Sequence, residues 1–119
     1  MQEYKCTHCL SELELTRLVP MISQLLEQAT SIRQAVNERD MMLYLAQKGH
    51  YANIDRMRRI IAHIRINNIV PYIVSSPRGY YVADNHIQVM EQVTRLRTES
   101  DRTRIEANAL EEQLNINFH

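Results

Sequence analysis

The amino-acid sequence predicts a mostly α-helical fold with one small β-hairpin and a long C-terminal helix. Only 2 glycines and 3 prolines interrupt the 119 residues, and so few helix breakers favour helices over a sandwich or barrel. Apolar residues recur at spacings of three and four over most of the chain, and the spacing changes to two only between residues 69 and 83. The content of 45% hydrophobic and 24% charged residues is typical of a globular protein.

The N-terminal part is predicted to be a lead, residues 1–18, followed by a first helix from Val19 to Val36. The lead contains the two cysteines of the chain, Cys6 and Cys9. Pro20 fits the first turn of the helix, where its missing N–H costs nothing. The stripe that predicts this helix alternates spacings of three and four: Leu15, Leu18, Ile22, Leu25, Ala29, Ile32 and Val36.

Two shorter helices are predicted next, the first from Glu38 to Lys48 and the second ending at about Ile66. Asn37 and Asn53 are good N-caps for them, and a glycine at residue 49 suits the left-handed end of the first. The second of these helices has an apolar stripe at spacings of three, four and three: Ile54, Met57, Ile61 and Ile64.

A two-stranded hairpin is predicted between residues 69 and 83. Residues 69–75 and 80–83 are rich in β-branched and aromatic side chains, and Ser76-Pro77-Arg78-Gly79 between them is a turn sequence. Arg78 then lies at the tip. Because an isolated hairpin is marginal in water, this one must pack on the helices.

A last helix is predicted from His86 to about Leu114. At about 1.5 Å per residue it spans about 43 Å, which is more than a small domain can cover. We therefore divide the chain into the lead 1–18, a folded domain 19–90 and a helical extension 91–119 that is a candidate coiled coil. The seam proposed for oligomerisation has two polar positions, Ser100 and Thr103, among its apolar ones: Val89, Val93, Leu96, Ala107, Leu110 and Leu114.

Charge is segregated along the chain although the formal net charge is zero. Residues 1–32 carry a net charge of −2, residues 33–83 carry +5 and residues 84–119 carry −3. Seven of the eight central cations are arginine, whose planar fork matches phosphates and guanine edges. A basic centre between acidic arms indicates an anionic partner for the centre.

The order helix, tight turn, helix, strand, turn, strand over residues 38–83 is typical of a helix-turn-helix followed by a wing. The segments DRMRRIIAHIR (55–65), IVPYIVSS (69–76) and PRGYYVA (77–83) make the chain similar to small winged-helix DNA-binding proteins of bacteriophages and mobile elements. The resemblance covers about residues 38–90. The chain departs from it at Asn67-Asn68-Ile69, where a short glycine-containing loop is usual, and in lacking a Ser or Thr cap before the third helix.

The resemblance implies a winged helix in which the third helix enters the major groove of double-stranded DNA. Arg56, Arg59 and His63 would then face the bases, and Arg58, Arg65 and Arg78 would contact phosphates or a flanking groove. The residues themselves favour the same set, because the apolar stripe leaves that side of the helix open. A solvated arginine face on a structural helix is the alternative interpretation.

The spacing Cys6-x-x-Cys9 supplies half of a structural zinc site, which needs four ligands. A second chain could complete it, or the two thiols could be ordinary residues of the lead, and we expect no cofactor. No phosphate loop, H-E-x-x-H or G-x-S-x-G motif is present, so the sequence predicts a protein that is not an enzyme. No apolar run is long enough for a membrane span and no signal peptide is evident, which favours the cytoplasm or nucleoid of a bacterial host.

Two functions are consistent with these sequence features. The first is a DNA-binding regulator of transcription or replication that dimerises through its terminal helices. The second is a protein-interaction or structural adaptor, in which the winged helix and the helical seams dock protein partners.

Overall fold

The computed structural model describes residues 10–117, which form four α-helices and one antiparallel hairpin. A π-helical stretch, Glu14–Leu18, runs directly into the first helix, and a 3-10 turn, Ile32–Gln34, lies between the first two helices. The mostly helical fold with a small hairpin is confirmed. The elements are α1 (Val19–Glu27), α2 (Glu38–Gln47), α3 (Ile54–Ile66), β1 (Ile73–Ser76), β2 (Gly79–Val82) and α4 (His86–Asn117).

The first helix ends at Glu27, so its predicted extension to Val36 is wrong. The chain beyond it pairs with the hairpin instead. Val36 and Tyr80 exchange both backbone hydrogen bonds, with N···O distances of 2.9 and 2.8 Å, and Val82 N donates to Ala29 O at 2.7 Å. β2 therefore has a partner on each side. This segment, which includes the 3-10 turn, keeps Ala29 and Val36 against the hairpin, which explains why their apolar spacing did not require a helix.

α2 and α3 have the N-caps that the sequence predicts, and α2 ends at Gln47, one residue before the predicted Lys48. Asn37 Oδ1 accepts a hydrogen bond from Asp40 N at 2.8 Å, and Asn53 Oδ1 accepts one from Arg56 N at 2.8 Å. These bonds satisfy N–H groups that have no partner within the first turn of a helix. Gly49 then ends α2 with a φ of +84°.

The core lies where α1, α2, α3 and the hairpin meet. On α3, Met57, Ile61 and Ile64 are buried as predicted, but Ile54 is 46% exposed and Ile60 takes a core position. Ile54 is the first residue of α3 and borders an open cleft. The remaining large side chains with no exposed surface belong to the N-terminal segment, α1 and α2: Leu18, Ile22, Leu26, Met41 and Leu45.

The hairpin has a two-residue loop, Pro77-Arg78, because Ser76 pairs with Gly79. Gly79 has a φ of +129° and packs directly on the chain that leads into α2. A Cβ at this position would lie 2.4 Å from Val36 C and 2.5 Å from Asn37 N. Only glycine permits this approach, and it fixes the hairpin turn beside the start of α2.

The last helix is docked at its N-terminal end and exposed beyond it. Gln92 is 6% exposed, and its Oε1 accepts hydrogen bonds from Ser75 N at 2.6 Å and Ser75 Oγ at 2.8 Å. Every residue from Thr94 to Gln113 is exposed. Within residues 10–117, none of the helices combines the length and apolar character that crossing a membrane requires.

Candidate nucleic-acid interface

The six residues predicted to contact DNA fall into two groups in the structure. Arg58, Arg59 and Arg78 reach the surface. The other three, Arg56, His63 and Arg65, are engaged within the fold.

Arg56 ties α3 to the N-terminal segment. Its Nε lies 3.1 Å from Glu14 Oε2, and its guanidinium also donates to Tyr51 O at 2.8 Å. The Glu14 side chain is only 5% exposed. Burial would raise the pKa of Glu14, but hydrogen bonds from the Ser11 backbone and hydroxyl, together with Arg56, hold that pKa below its usual value. Arg56 is therefore held by contacts within the fold, to Glu14 and Tyr51, and is not placed to contact bases as predicted.

His63 is 6% exposed, so the expectation that it faces DNA is wrong. Desolvation by burial lowers the pKa of His63, which favours the neutral ring. Asn67 Nδ2 lies 3.2 Å from Nδ1 of that ring. A buried neutral imidazole held in this way packs the end of α3 and offers nothing to a base edge.

Arg65 joins α3 to the hairpin. Its Nε donates to Ile73 O at 3.0 Å, and its guanidinium lies 5.6 Å from the centre of the Tyr80 ring. Burial lowers the pKa of Arg65, which still lies far above neutral pH. The expected phosphate contact is therefore not available to Arg65. A helical wheel leaves this side of α3 open because it contains no information about the hairpin that covers it.

Arg58 and Arg59 lie on the part of α3 that the hairpin leaves uncovered. The Arg58 side chain is 68% exposed, and its Nε lies 3.2 Å from Glu38 Oε1, which also accepts from Tyr80 Oη at 3.0 Å. The hydrogen bond to Glu38 raises the pKa of Arg58. Arg59 is 36% exposed and lies 3.5 Å from Asp55 without a hydrogen bond. Exposed ion pairs of this kind are weak, so both guanidinium groups can exchange their carboxylates for phosphates.

An open cleft of about 420 Å³ lies between the first turn of α2 and the hairpin turn. Arg39 borders it on the α2 side and Pro77 and Gly79 border it on the hairpin side, with Ile54 contributed by α3. Arg78 stands between those two hairpin residues. Arg39 and Arg78 are exposed, and neither is in an ion pair within the described part of the chain.

Arg39 is absent from the set of residues that the sequence predicts to contact DNA. It lies in the first turn of α2, where the partial positive charge of the helix end disfavours a cation. Glu38 and Asp40 in the same turn complement the helix end, so no signal in the sequence singles out Arg39. The cleft is thus bordered by Arg39 and by the start of α3 at Ile54, and Arg78 lies on the hairpin turn next to it.

The oligomerisation seam is divided by the body of the protein. Val89 and Val93 are half-buried against the hairpin and so are not free for a partner. Leu96 is 43% exposed and Leu110 is 63% exposed, and the remaining described apolar seam position is also exposed: Ala107. Leu114 is helical, but its side chain lies outside the described residues, as do Cys6 and Cys9.

The described residues contain no group of three or more His, Cys, Asp or Glu side chains that could hold a metal ion. Comparison with known proteins returns no match to a family model, a curated protein or a solved structure. The geometry of the candidate interface is therefore the basis for a function.

Proposed function

We propose that this chain is a non-catalytic, winged-helix DNA-binding protein that regulates transcription or replication in a bacteriophage or mobile element. It acts in the cytoplasm or nucleoid of the host. The order of α2, α3 and the hairpin supports this assignment, and the resemblance over residues 38–90 agrees with it.

The observation that carries the proposal is a pair of exposed arginines near the cleft: Arg39 borders it on α2, and Arg78 lies on the hairpin turn between two residues that border it. Neither has an ion-pair partner among residues 10–113, so each is available to a phosphate. Arg58 and Arg59 lie on α3, which starts at the same cleft. Four guanidinium groups on three separate elements match the way in which a winged helix holds a duplex backbone.

The test is a fluorescence-anisotropy titration against random-sequence duplex DNA at several salt concentrations. The variant is Arg39→Ala with Arg78→Ala. The slope of log K against log salt should become shallower by about 1.8, since each lost phosphate contact removes about 0.9. The control is Arg17→Ala with Arg102→Ala, which removes the same charge from exposed positions on other segments.

The control should bind with the slope of the wild type. Equal losses in the two double variants would mean that binding follows net charge alone, which would contradict the proposed interface. Absence of binding by the wild type at low salt would overturn DNA as the partner.

A protein adaptor is the second candidate function, and one observation favours it. Leu43 is 55% exposed, Tyr51 is 83% exposed and Ile54 is 46% exposed beside one another on the groove between α2 and the following turn. A cluster of exposed apolar side chains is typical of a protein-docking surface. If this were the functional surface, Leu43→Ser would abolish partner capture while leaving the arginine-dependent anisotropy signal unchanged.

A further inference from the structure

Arg58 is held differently from the other arginines proposed to contact DNA. Its Nε donates to Glu38 Oε1 at 3.2 Å, whereas its two terminal nitrogens make no hydrogen bond within the described part of the chain. Arg39 and Arg78 have no ion pair among the same residues, and the ion pair of Arg59 contains no hydrogen bond. Of these four side chains as the structure describes them, that of Arg58 is the one restrained by a hydrogen bond.

The carboxylate that holds Arg58 is itself fixed. Glu38 is the first residue of α2, and the Oε1 atom that accepts from Arg58 also accepts from Tyr80 Oη at 3.0 Å. Burial raises the pKa of Tyr80 and the bond to Glu38 raises it further, so the phenol stays protonated and able to donate. The Tyr80 backbone is bonded to Val36, and the Tyr80 ring lies 5.6 Å from the guanidinium of Arg65. Three elements, α2, α3 and β2, therefore combine to restrain one guanidinium group.

The pairing with Glu38 makes Arg58 a poor contact for phosphate. A carboxylate 3.2 Å from the guanidinium offsets its positive charge, and Tyr80 would keep that carboxylate beside any phosphate that replaced it. Attraction to phosphate depends on the charge, whereas hydrogen bonding to a base edge depends on the directions of the N–H donors. The pairing therefore weakens a sequence-independent contact and leaves the donors of Arg58 available to a base.

The position of Arg58 on α3 suits contact with bases. It lies four residues after Ile54, the first residue of α3, which borders the cleft. Recognition helices contact base edges mainly with the residues of their N-terminal part. Arg56 and His63, which the sequence assigned to bases, are engaged within the fold. The Arg58 side chain, in contrast, is 68% exposed.

We propose that Arg58 reads a guanine in the major groove of the bound duplex and that Glu38 is its positioning residue. The inference rests on the proposed function and deepens it, because it assigns what the DNA-binding surface recognises. Arginine binds O6 and N7 of guanine with two N–H groups at once, which is the commonest specific contact to DNA. Because the Nε of Arg58 is occupied by Glu38, its two terminal nitrogens are the donors left for these acceptors. Arg39 and Arg78, which no carboxylate neutralises, contact phosphates instead.

The test is selection of sites by the full chain from duplex DNA of random sequence, followed by anisotropy titration of the selected and the random duplex. The wild type should select sites with a fixed guanine. Arg58→Lys keeps the charge but loses the planar fork, so its preference for that guanine should fall by about 5- to 150-fold while its affinity for random duplex is kept. Arg58→Ala should leave the slope of log K against log salt unchanged, whereas loss of a phosphate contact would reduce it by about 0.9.

Two variants test Glu38 as the positioning residue. Tyr80→Phe removes the hydroxyl that holds Glu38 without a change in charge, and it should lower the guanine preference by about 2- to 12-fold because Arg58 must then be immobilised on binding. Glu38→Gln frees the charge of Arg58 for phosphate, so the salt slope on random duplex should steepen by up to about 0.9. The matched control is Asp40→Asn, which removes the same charge from the same turn of α2, at an exposed residue with no ion pair among those described. It should change neither the preference nor the slope.

Other outcomes would overturn the inference. Selected sites without a fixed guanine, or a guanine preference that survives Arg58→Lys, would mean that another residue reads the bases. A slope that falls by about 0.9 in Arg58→Ala would make Arg58 a phosphate contact. Equal effects of Asp40→Asn and Glu38→Gln would mean that Glu38 acts through its charge alone. In all of these cases the wild type still binds duplex DNA and the proposed function stands, whereas a wild type that binds no duplex would overturn both.

Discussion

Gly79→Ala should be among the most destabilising single substitutions in this protein. The added Cβ would lie 2.4 Å from Val36 C, 2.5 Å from Asn37 N and 2.6 Å from Val36 O. All three atoms belong to the backbone, so no side-chain rotation can relieve the overlap. Either the hairpin or the segment leading into α2 must move.

The magnitude follows from what that movement disrupts. A non-glycine residue at a φ of +129° costs about 1–3 kcal/mol in backbone strain. Separation of the segments also weakens the two hydrogen bonds between Val36 and Tyr80, each contributing about 1 kcal/mol. We expect a loss of about 3–5 kcal/mol in the free energy of unfolding, from a total that is about 5–15 kcal/mol in typical proteins.

The assay is urea unfolding followed by circular dichroism, and the chain supplies a matched control. Gly49 also has a positive φ, +84°, but an added Cβ there meets nothing within 4 Å. Gly49→Ala therefore measures backbone strain alone and should cost about 1–2 kcal/mol. If Gly79→Ala lost no more stability than Gly49→Ala, the close packing of the hairpin on α2 would be refuted.

Three further predictions concern buried polar groups. Glu14→Gln should cost about 1 kcal/mol through loss of the ion pair with Arg56. The pKa of Glu14 is lowered in the folded state, so its carboxylate stabilises the fold above the ordinary value of 4.5. This stabilisation is lost as pH falls through the folded pKa. The free energy of unfolding of the variant should therefore depend less on pH in the acid range than that of the wild type. The pKa of His63 is likewise lowered from 6.5, so as pH falls the imidazole of the unfolded chain takes up its proton before that of the folded chain. The free energy of unfolding therefore falls as pH drops below 6.5. His63→Gln should reduce this pH dependence when unfolding is measured between neutral and mildly acid pH. Gln92→Ala should cost about 1–3 kcal/mol in thermal unfolding by leaving the Ser75 N–H without its acceptor, and amide exchange at Ser75 should accelerate.

Local signals in the sequence were sufficient to predict α2 and α3. Asn37 and Asn53 determine where these helices begin, and Gly49 determines where α2 ends, through bonds within a few residues of the chain. A pattern that depends on neighbouring residues can be interpreted without the fold. The two caps and the glycine therefore predict boundaries that the structure reproduces closely.

The end of the first helix could not be predicted from the same kind of signal. Apolar spacing from Ala29 to Val36 is compatible with a helix, but these residues bond to Val82 and Tyr80, about fifty residues further along the chain. The competing structure is an isolated β-bridge between Val36 and Tyr80, together with the hydrogen bond from Val82 to Ala29, and no local pattern contains these partners. Long-range pairing prevailed over periodicity, and the helix ended at Glu27.

The cations of the candidate site could not be predicted from the sequence either, because some of them are neutralised by residues that are distant in the chain. A linear count places all eight central cations on one basic segment, whereas the structure brings Glu14, from the acidic N-terminal part, onto Arg56. Part of the charge segregation is thereby cancelled within the fold.

The hairpin has a comparable effect, because it covers Arg65 and withdraws a second cation from the face of α3. A helical wheel can identify which side of a helix is polar, but it cannot identify what lies on that side. The cations left outside come from α2, α3 and the hairpin turn, which are distant in sequence and adjacent only in the fold. The DNA-binding function that we propose would therefore use the surface around this cleft, and Arg39 and Arg78 are the exposed residues through which it can be tested without disturbing the core.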